Sequence, residues 1–138
     1  MTNERKTIHV VSNSHWDREW GYPFEETRLL LIKFMDELLD LLENDPEFTS
    51  FTMDSQTLCV EDYLELRPEK RAIVEKQVKA GRLLIGPWYS LPEEYLVNGE
   101  SLVRNLVVGH RSAEKLGKVT KVGYTPFGYG QKIGRAHV

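Results

Sequence analysis

Residues 7–20 read TIHVVSNSHWDREW, and the predicted architecture of the chain starts from them. The first part of this stretch, residues 7–11, is a short apolar run that predicts a strand buried on both faces, as in a parallel sheet. Its second part is dense in His, Asp, Glu, Arg and Trp, residues that a hydrophobic core mostly excludes. The change at Ser12 therefore predicts a polar site at the carboxyl end of the first strand.

Two side chains in the polar part, His15 and Asp17, stand two positions apart. In an extended segment such residues point the same way, so an imidazole nitrogen and a carboxylate can converge on one point. Nitrogen and oxygen donors together suit a divalent metal ion such as zinc. Trp16 and Trp20 flank the pair with aromatic faces, which suit a ligand with an apolar face and a polar rim, such as a sugar ring. The alternative is a capped strand end with a hydrogen-bonded histidine.

Helical and extended patterns alternate along the rest of the chain. Apolar residues at helical spacing predict helices over residues 25–43, 58–66, 68–80 and 102–116, the last capped by Ser101. Short apolar runs predict strands over residues 48–53, 83–85 and 118–125. This order predicts an α/β fold in which βα units with right-handed crossovers form a parallel sheet. Such sheets carry their chemistry at the carboxyl ends of the strands, where the polar clusters of this chain also fall.

Composition excludes several classes of function. A chain of 138 residues allows one domain with a modest core. The net charge is −3 and the basic residues are scattered, so the sequence shows no basic patch of the kind that binds nucleic acid. No apolar run approaches the length of a membrane span, and the polar start does not resemble a signal peptide. Cys59 is the single cysteine, which fits a reducing cytoplasm, so we expect a cytoplasmic protein.

Several separated blocks, in the same order, resemble glycoside hydrolase family 38, the α-mannosidases, and its bacterial members most. The first block is SHWDREW at residues 14–20. The others are MDSQ at residues 53–56, EDYLELRPE at residues 61–69, GPWYSLPEE at residues 86–94 and GESLVRNL at residues 99–106. The resemblance covers residues 7–131. It implies that residues 1–132 are the N-terminal fragment of a catalytic domain, with the first four strands of an incomplete (β/α)7-type barrel.

The resemblance also implies an activity and a set of site residues. The whole enzyme would be a retaining glycosidase that cleaves terminal α-mannosides of a mannoside or oligosaccharide substrate, and it would act as a possible homo-oligomer. His15 and Asp17 would bind zinc or another divalent metal ion beneath the sugar. Trp88 and Tyr89 would form a sugar platform, for which core packing is the alternative, and Glu93 would bind hydroxyls unless solvent surrounds it. Asp54 would contact the site or else cap the helix that follows it.

The catalytic nucleophile of that family is an aspartate in a pattern resembling Gly-Tyr-x-Pro-Asp-x-Phe-Gly. Here Pro126 is followed directly by Phe127, so the two intervening residues, the aspartate included, are absent. Residues 133–138, IGRAHV, depart from the family and correspond to one reading frame of a sequencing-library adapter. We therefore expect a non-native tail and an inactive chain.

Two alternatives remain. A metal-dependent carbohydrate deacetylase also uses His and Asp at a barrel mouth, but its adjacent Asp pair and His-x-x-x-His pair do not occur here. A non-catalytic sugar-binding module would keep the aromatic residues and need no nucleophile.

Overall fold

The computed structural model describes residues 5–123. Along them lie the helices and strands α1 (Phe24–Asn44), β1 (Phe51–Thr52), α2 (Leu58–Leu66), α3 (Arg71–Lys79), β2 (Leu83–Leu84) and α4 (Gly99–Leu116). A short 3-10 turn over Pro68–Lys70 leads into α3. Proline is tolerated at the start of this turn, because the first N–H of a helix has no partner within the helix. The alternation of helix and strand confirms the predicted α/β class.

The two strands pair in parallel, with Phe51 opposite Leu83 and Thr52 opposite Leu84. On the other side of β1, Asn13 forms a parallel bridge with Thr52. Beyond β2, the amide of Thr120 donates to the carbonyl of Ile85 at 2.9 Å. The predicted parallel pairing is thus confirmed for the two strands β1 and β2, with a parallel bridge at Asn13 on one side and a single hydrogen bond at Thr120 on the other.

The core lies between this sheet and the helices. Five buried residues of α1 recur at helical spacing and face it: Leu31, Met35, Leu38, Leu39 and Leu42. They meet the sheet residues Phe51, Met53, Leu83 and Ile85 together with buried side chains of α2 and α3. Burying each large aliphatic side chain contributes about 1.5–3 kcal/mol, so this face determines where α1 lies.

The prediction of a doubly buried first strand is wrong for residues 7–11. Ile8 is 84% exposed, Val10 is 86% exposed and Val11 is 66% exposed. Hydrogen bonding to β1 starts only at Ser12, whose carbonyl accepts from the amide of Thr52 at 2.9 Å. Burial on both faces needs neighbours on both faces, and residues 5–123 do not supply them for this segment.

Two predictions about the last helix and strand need correction. Asn98, not Ser101, caps α4: its side-chain oxygen accepts from the amide of Ser101 at 2.8 Å. The helix therefore begins at Gly99, about one turn before the predicted start, because an extended asparagine can reach the third amide of a helix. Of the strand predicted over residues 118–125, the part up to Gly123 forms no strand, and the remainder lies outside the described residues.

None of the helices within residues 5–123 combines the length and the apolarity needed to cross a membrane.

Alkaline pH should destabilise the fold. Burial raises the pKa of the Cys59 thiol, and burial together with a hydrogen bond to Asp36 raises the pKa of the Tyr63 hydroxyl. Unfolded chains ionise these groups near pH 8.5 and 10, so the stability they contribute is fully present below those values and is lost above them. We expect the free energy of unfolding to fall from about pH 9 upward.

The pH dependence can be assigned by substitution. Tyr63→Phe should make the decline above pH 10 shallower in urea unfolding measured at a series of pH values. Tyr95→Phe is the matched control because Tyr95 is 63% exposed. Equal slopes for the native chain and Tyr63→Phe would contradict this assignment.

Candidate functional site

The site begins where β1 ends, at a sharp change of backbone direction. Asp54 and Ser55 both adopt left-handed conformations, with φ of 45° and 53°. Such conformations are unfavourable for residues other than glycine, although aspartate tolerates them better than most. The turn points the Asp54 carboxylate toward the segment that contains His15 and leaves Asp54 0% exposed.

Three neighbours fix the Asp54 carboxylate. Its Oδ2 accepts from the backbone amide of Trp16 at 2.9 Å and from the side-chain amide of Gln56 at 2.9 Å. Its Oδ1 lies 3.4 Å from Nδ1 of His15. Burial raises the pKa of Asp54, while the hydrogen bond from Trp16 and the nearby His15 oppose the rise. Asp54 contacts the site and not the first turn of α2, whose N-cap residue is Thr57.

His15 lies between two carboxylates. Nδ1 faces Asp54, at 3.2 Å from Oδ2, and Nε2 lies 3.4 Å from Oδ1 of Asp17. The Nε2–Oδ1 distance exceeds the usual range of an N–H···O hydrogen bond. Two ligands of a tetrahedral zinc ion, each about 2.1 Å from the metal, lie about 3.4 Å apart. The donor types and their separation therefore fit one edge of a zinc coordination shell.

A third ligand is not present among residues 5–123, where no group of three His, Cys, Asp or Glu side chains converges as a metal site would. His15 and Asp17 thus fit half of a four-ligand shell.

Arg18 is held by a bidentate ion pair. Its Nε and one terminal nitrogen donate to the two oxygens of Asp62 on α2 at 2.7 and 2.9 Å. Its guanidinium also lies 4.4 Å from the ring centre of Phe24 at the start of α1. The paired carboxylate raises the pKa of Arg18. These contacts connect the polar segment to both helices, so residues 15–18 are not a loose loop.

A cleft of about 220 Å³ opens beside these residues. One wall is formed by residues 15–18, and the other by residues 90–93, with Gln56 between them. One carboxylate oxygen of Glu93, Oε1, is buried and has no hydrogen-bond partner among the described residues. A buried carboxylate oxygen is costly without a donor, so Glu93 favours a ligand that brings hydroxyl groups.

Helix α4 positions the second wall. The side-chain oxygen of Asn105 accepts from the amides of Tyr89 and Ser90, and its nitrogen donates to the carbonyl of Ser90. Gly109, one turn further along, lies so close to residues 87–89 that a Cβ there would stand 2.3 Å from the carbonyl oxygen of Pro87. Close backbone contact and three hydrogen bonds therefore hold this loop against α4.

The aromatic residues predicted to bind sugar lie in different places. Trp16 lines the cleft, but its ring stacks on Phe34 with the ring centres 5.6 Å apart. Trp20 is 88% exposed and borders a second depression of about 290 Å³ that shares His15 and Asp17. Trp88 is 8% exposed, and neither it nor the half-buried Tyr89 lines the cleft. The indole Nε1 of Trp88 is buried and has no hydrogen-bond partner among residues 5–123.

Sequence reasoning missed three residues that build the site. Gln56 bridges both walls, since it donates to the carbonyl of Trp16 and accepts from the amide of Leu91. Asn105 on α4 holds the loop at residues 89–90, and Asp62 on α2 holds Arg18. Both contacts join residues that are distant in sequence. All three occur in blocks that resemble family 38, and this was the available signal. The predicted nucleophile position and residues 133–138 lie outside the described part of the chain.

Comparisons with known proteins identify the family. The model of the glycosyl hydrolases family 38 N-terminal domain matches residues 5–135. A protein of Halalkalibacterium halodurans named "Putative mannosylglycerate hydrolase" is 53% identical over 92% of this chain, which covers 15% of that protein. The α-mannosidase of Saccharomyces cerevisiae is 25% identical over 91% of the chain, which covers 12% of it.

A solved structure agrees with these sequence matches. The crystal structure of an α-mannosidase from Enterococcus faecalis V583 superposes with a TM-score of 0.80 and 52% identity. The superposition covers 84% of this chain and 13% of that one. The chain thus spans about one seventh of the length of its relatives. From residue 5 to residue 135, it belongs to the N-terminal domain of glycosyl hydrolase family 38.

Proposed function

We propose that this chain is the N-terminal fragment of a retaining glycosidase that cleaves terminal α-mannosides with a divalent metal ion, zinc, in its site. The observation that carries the proposal is the arrangement of His15 and Asp17, whose donor atoms lie 3.4 Å apart at the rim of a cleft. Membership of family 38 supports the glycosidase class.

Each site residue would then have a role that its contacts support. His15 and Asp17 would hold the metal ion, which would orient the sugar by binding its hydroxyls. Glu93 would accept hydrogen bonds from sugar hydroxyls, supported by its unpartnered buried oxygen in the same cleft. Trp20 would provide an exposed aromatic face for the sugar ring. Aromatic side chains packed behind these residues would support the site: Trp16, Trp88 and Tyr89.

The proposed fold of the whole domain is a (β/α)7-type barrel of which residues 1–132 supply the first four strands. Support comes from the parallel pair β1 and β2, which is flanked in chain order by residues 12–14 beside β1 and by Thr120 beside β2. The exposed Val10 and Val11 on the first edge are the apolar residues that further strands would cover. An open edge of this kind also favours association between copies.

The substrate has two candidates. α-Mannosides are suggested by the α-mannosidases of Enterococcus faecalis and yeast. Mannosylglycerate is suggested by the name of the relative at 53% identity. Both contain a terminal mannose, so the same metal site would serve both, and the groups beyond the mannose would decide between them.

The experiment uses the 138-residue chain with and without His15→Ala. We expect isothermal titration to detect zinc binding by the native chain and by a His110→Ala control, and no binding by His15→Ala. No turnover of an aryl α-mannoside is expected with zinc, because no nucleophile follows Pro126. Equal zinc binding by His15→Ala would overturn the metal assignment, and zinc-dependent turnover would overturn the inactivity of the chain.

The genomic reading frame beyond Pro126 tests the rest of the proposal. We expect it to restore an aspartate before Phe127 and to replace residues 133–138. A genuine frame that ends as this one does, combined with mannose binding, would favour the sugar-binding module.

A further inference from the structure

We infer that Asp54 is the positioning residue that fixes His15 in its Nδ1–H tautomer, so that Nε2 and its lone pair face Asp17. The inference concerns the imidazole alone, and its consequence for zinc rests on the proposed function. The buried carboxylate at the end of β1 would thus orient the imidazole of His15.

The hydrogen-bond inventory at Asp54 gives the tautomer. Oδ2 already accepts two donors, from Trp16 and Gln56, both at 2.9 Å. Both oxygens of Asp54 lie near Nδ1 of His15, Oδ2 at 3.2 Å and Oδ1 at 3.4 Å. Both ring nitrogens face a carboxylate, but the Asp54 side chain is 0% exposed and depends on protein donors, whereas the Asp17 side chain is 49% exposed and can be hydrated. The proton of a neutral His15 therefore belongs on Nδ1, beside Asp54. The second ring nitrogen, Nε2, then carries the lone pair that a metal ion requires.

Asp54 is itself held in place by burial, by its backbone conformation and by hydrogen bonds. It is 0% exposed, and the left-handed backbone at Asp54 and Ser55 sets its direction. Gln56 holds it from one side while also bonding the carbonyl of Trp16 and the amide of Leu91. The imidazole orientation therefore follows from the geometry of the β1 end, so a rotation of His15 would cost its contact with Asp54.

The first test measures the tautomer directly and needs no metal. Long-range ¹H–¹⁵N correlation spectra of the native chain, recorded at a pH where the imidazole is neutral, distinguish a protonated Nδ1 from a protonated Nε2. The signals of His15 are assigned by comparison with His15→Gln. We expect Nδ1–H to predominate. Predominance of Nε2–H in the native chain would overturn the inference, whatever any variant does.

The Asp54→Asn variant should reverse the tautomer. Asparagine tolerates a left-handed backbone, so the turn can persist. Its side-chain oxygen would replace Oδ2 as the acceptor for Trp16 and Gln56, which leaves the amide NH2 facing Nδ1. The proton of the neutral imidazole would then lie on Nε2. The matched control is Asp36→Asn, the same change at a carboxylate of α1 that bonds Tyr63 and Arg67 and does not line the cleft. The control should keep Nδ1–H.

Zinc titration separates this inference from the proposed function. Loss of the group that orients a ligating histidine costs roughly 10–100-fold in metal affinity, which we expect for Asp54→Asn and not for Asp36→Asn. If the tautomer changes as expected while the native chain binds no zinc, the positioning of His15 stands and the proposed metal site falls. An unchanged tautomer in a folded Asp54→Asn chain would overturn the inference.

Discussion

Gly109→Ala should destabilise the fold by about 3 kcal/mol, more than any surface substitution of this chain. The added Cβ would stand 2.3 Å from the Pro87 oxygen, 2.3 Å from the Trp88 carbonyl carbon and 2.4 Å from the Tyr89 amide nitrogen. All three atoms belong to the backbone, so no flexible side chain can move aside. Alanine gains about 1 kcal/mol over glycine in helix propensity, which does not offset a clash of this size.

The matched control is Gly99→Ala in the same helix. Gly99 is the first residue of α4, and a Cβ there meets no atom within 4 Å. We expect this variant to be as stable as the native chain or up to about 1 kcal/mol more stable. Urea unfolding of both variants measures the difference, provided that their m-values agree. Equal stability of the two variants would show that α4 does not rest on residues 87–89 as described.

The Gly109 contact also links stability to the site. Residues 90–93 form one wall of the cleft, and they follow directly from the segment that Gly109 and Asn105 hold. A partly folded Gly109→Ala chain should therefore lose the position of Glu93 before it loses the core around α1. Loss of the cleft needs only a local opening, which is less costly than global unfolding.

The helices could be predicted because their pattern is local. The predicted bounds of α2, residues 58–66, agree with the structure, and those of α1 differ by one residue at each end. The apolar spacing of α1 identified its core face in part: it included the buried Met35, Leu38 and Leu42. It also included Leu30 and Leu41, which are 47% and 38% exposed, and it omitted the buried Leu31 and Leu39. Such patterns depend only on neighbours within two turns, and the sequence contains them in full.

Contacts between distant residues could be predicted only in part. The rule that strand ends meet at one edge of a parallel sheet correctly suggested that Asp54 lies near His15, although 39 residues separate them. Which atoms bond could not be inferred, because that depends on the left-handed turn at Asp54 and Ser55. The exposure of Val10 could not be inferred either, since burial depends on which further strands the chain includes.

The largest functional effect should come from His15→Ala in the protein encoded by the complete reading frame. If the proposed function holds, this change removes one of two metal ligands at this edge and leaves Asp17 without the nitrogen 3.4 Å from it. Loss of transition-state stabilisation of about 4 kcal/mol lowers kcat/KM about 10³-fold, and we expect at least this loss on an aryl α-mannoside.

The matched control for that assay is His110→Ala, which removes an imidazole from α4 beside Val107 and Arg111, away from the cleft. It should retain the activity of the unaltered protein. Excess zinc should rescue His15→Ala only in part, because a higher metal concentration raises the occupancy by mass action but does not restore the missing ligand. Full activity of His15→Ala would contradict the proposed metal binding by residues 15–17. A loss of the same size in His110→Ala would mean that the effect comes from folding, which the free energy of unfolding of each variant then measures.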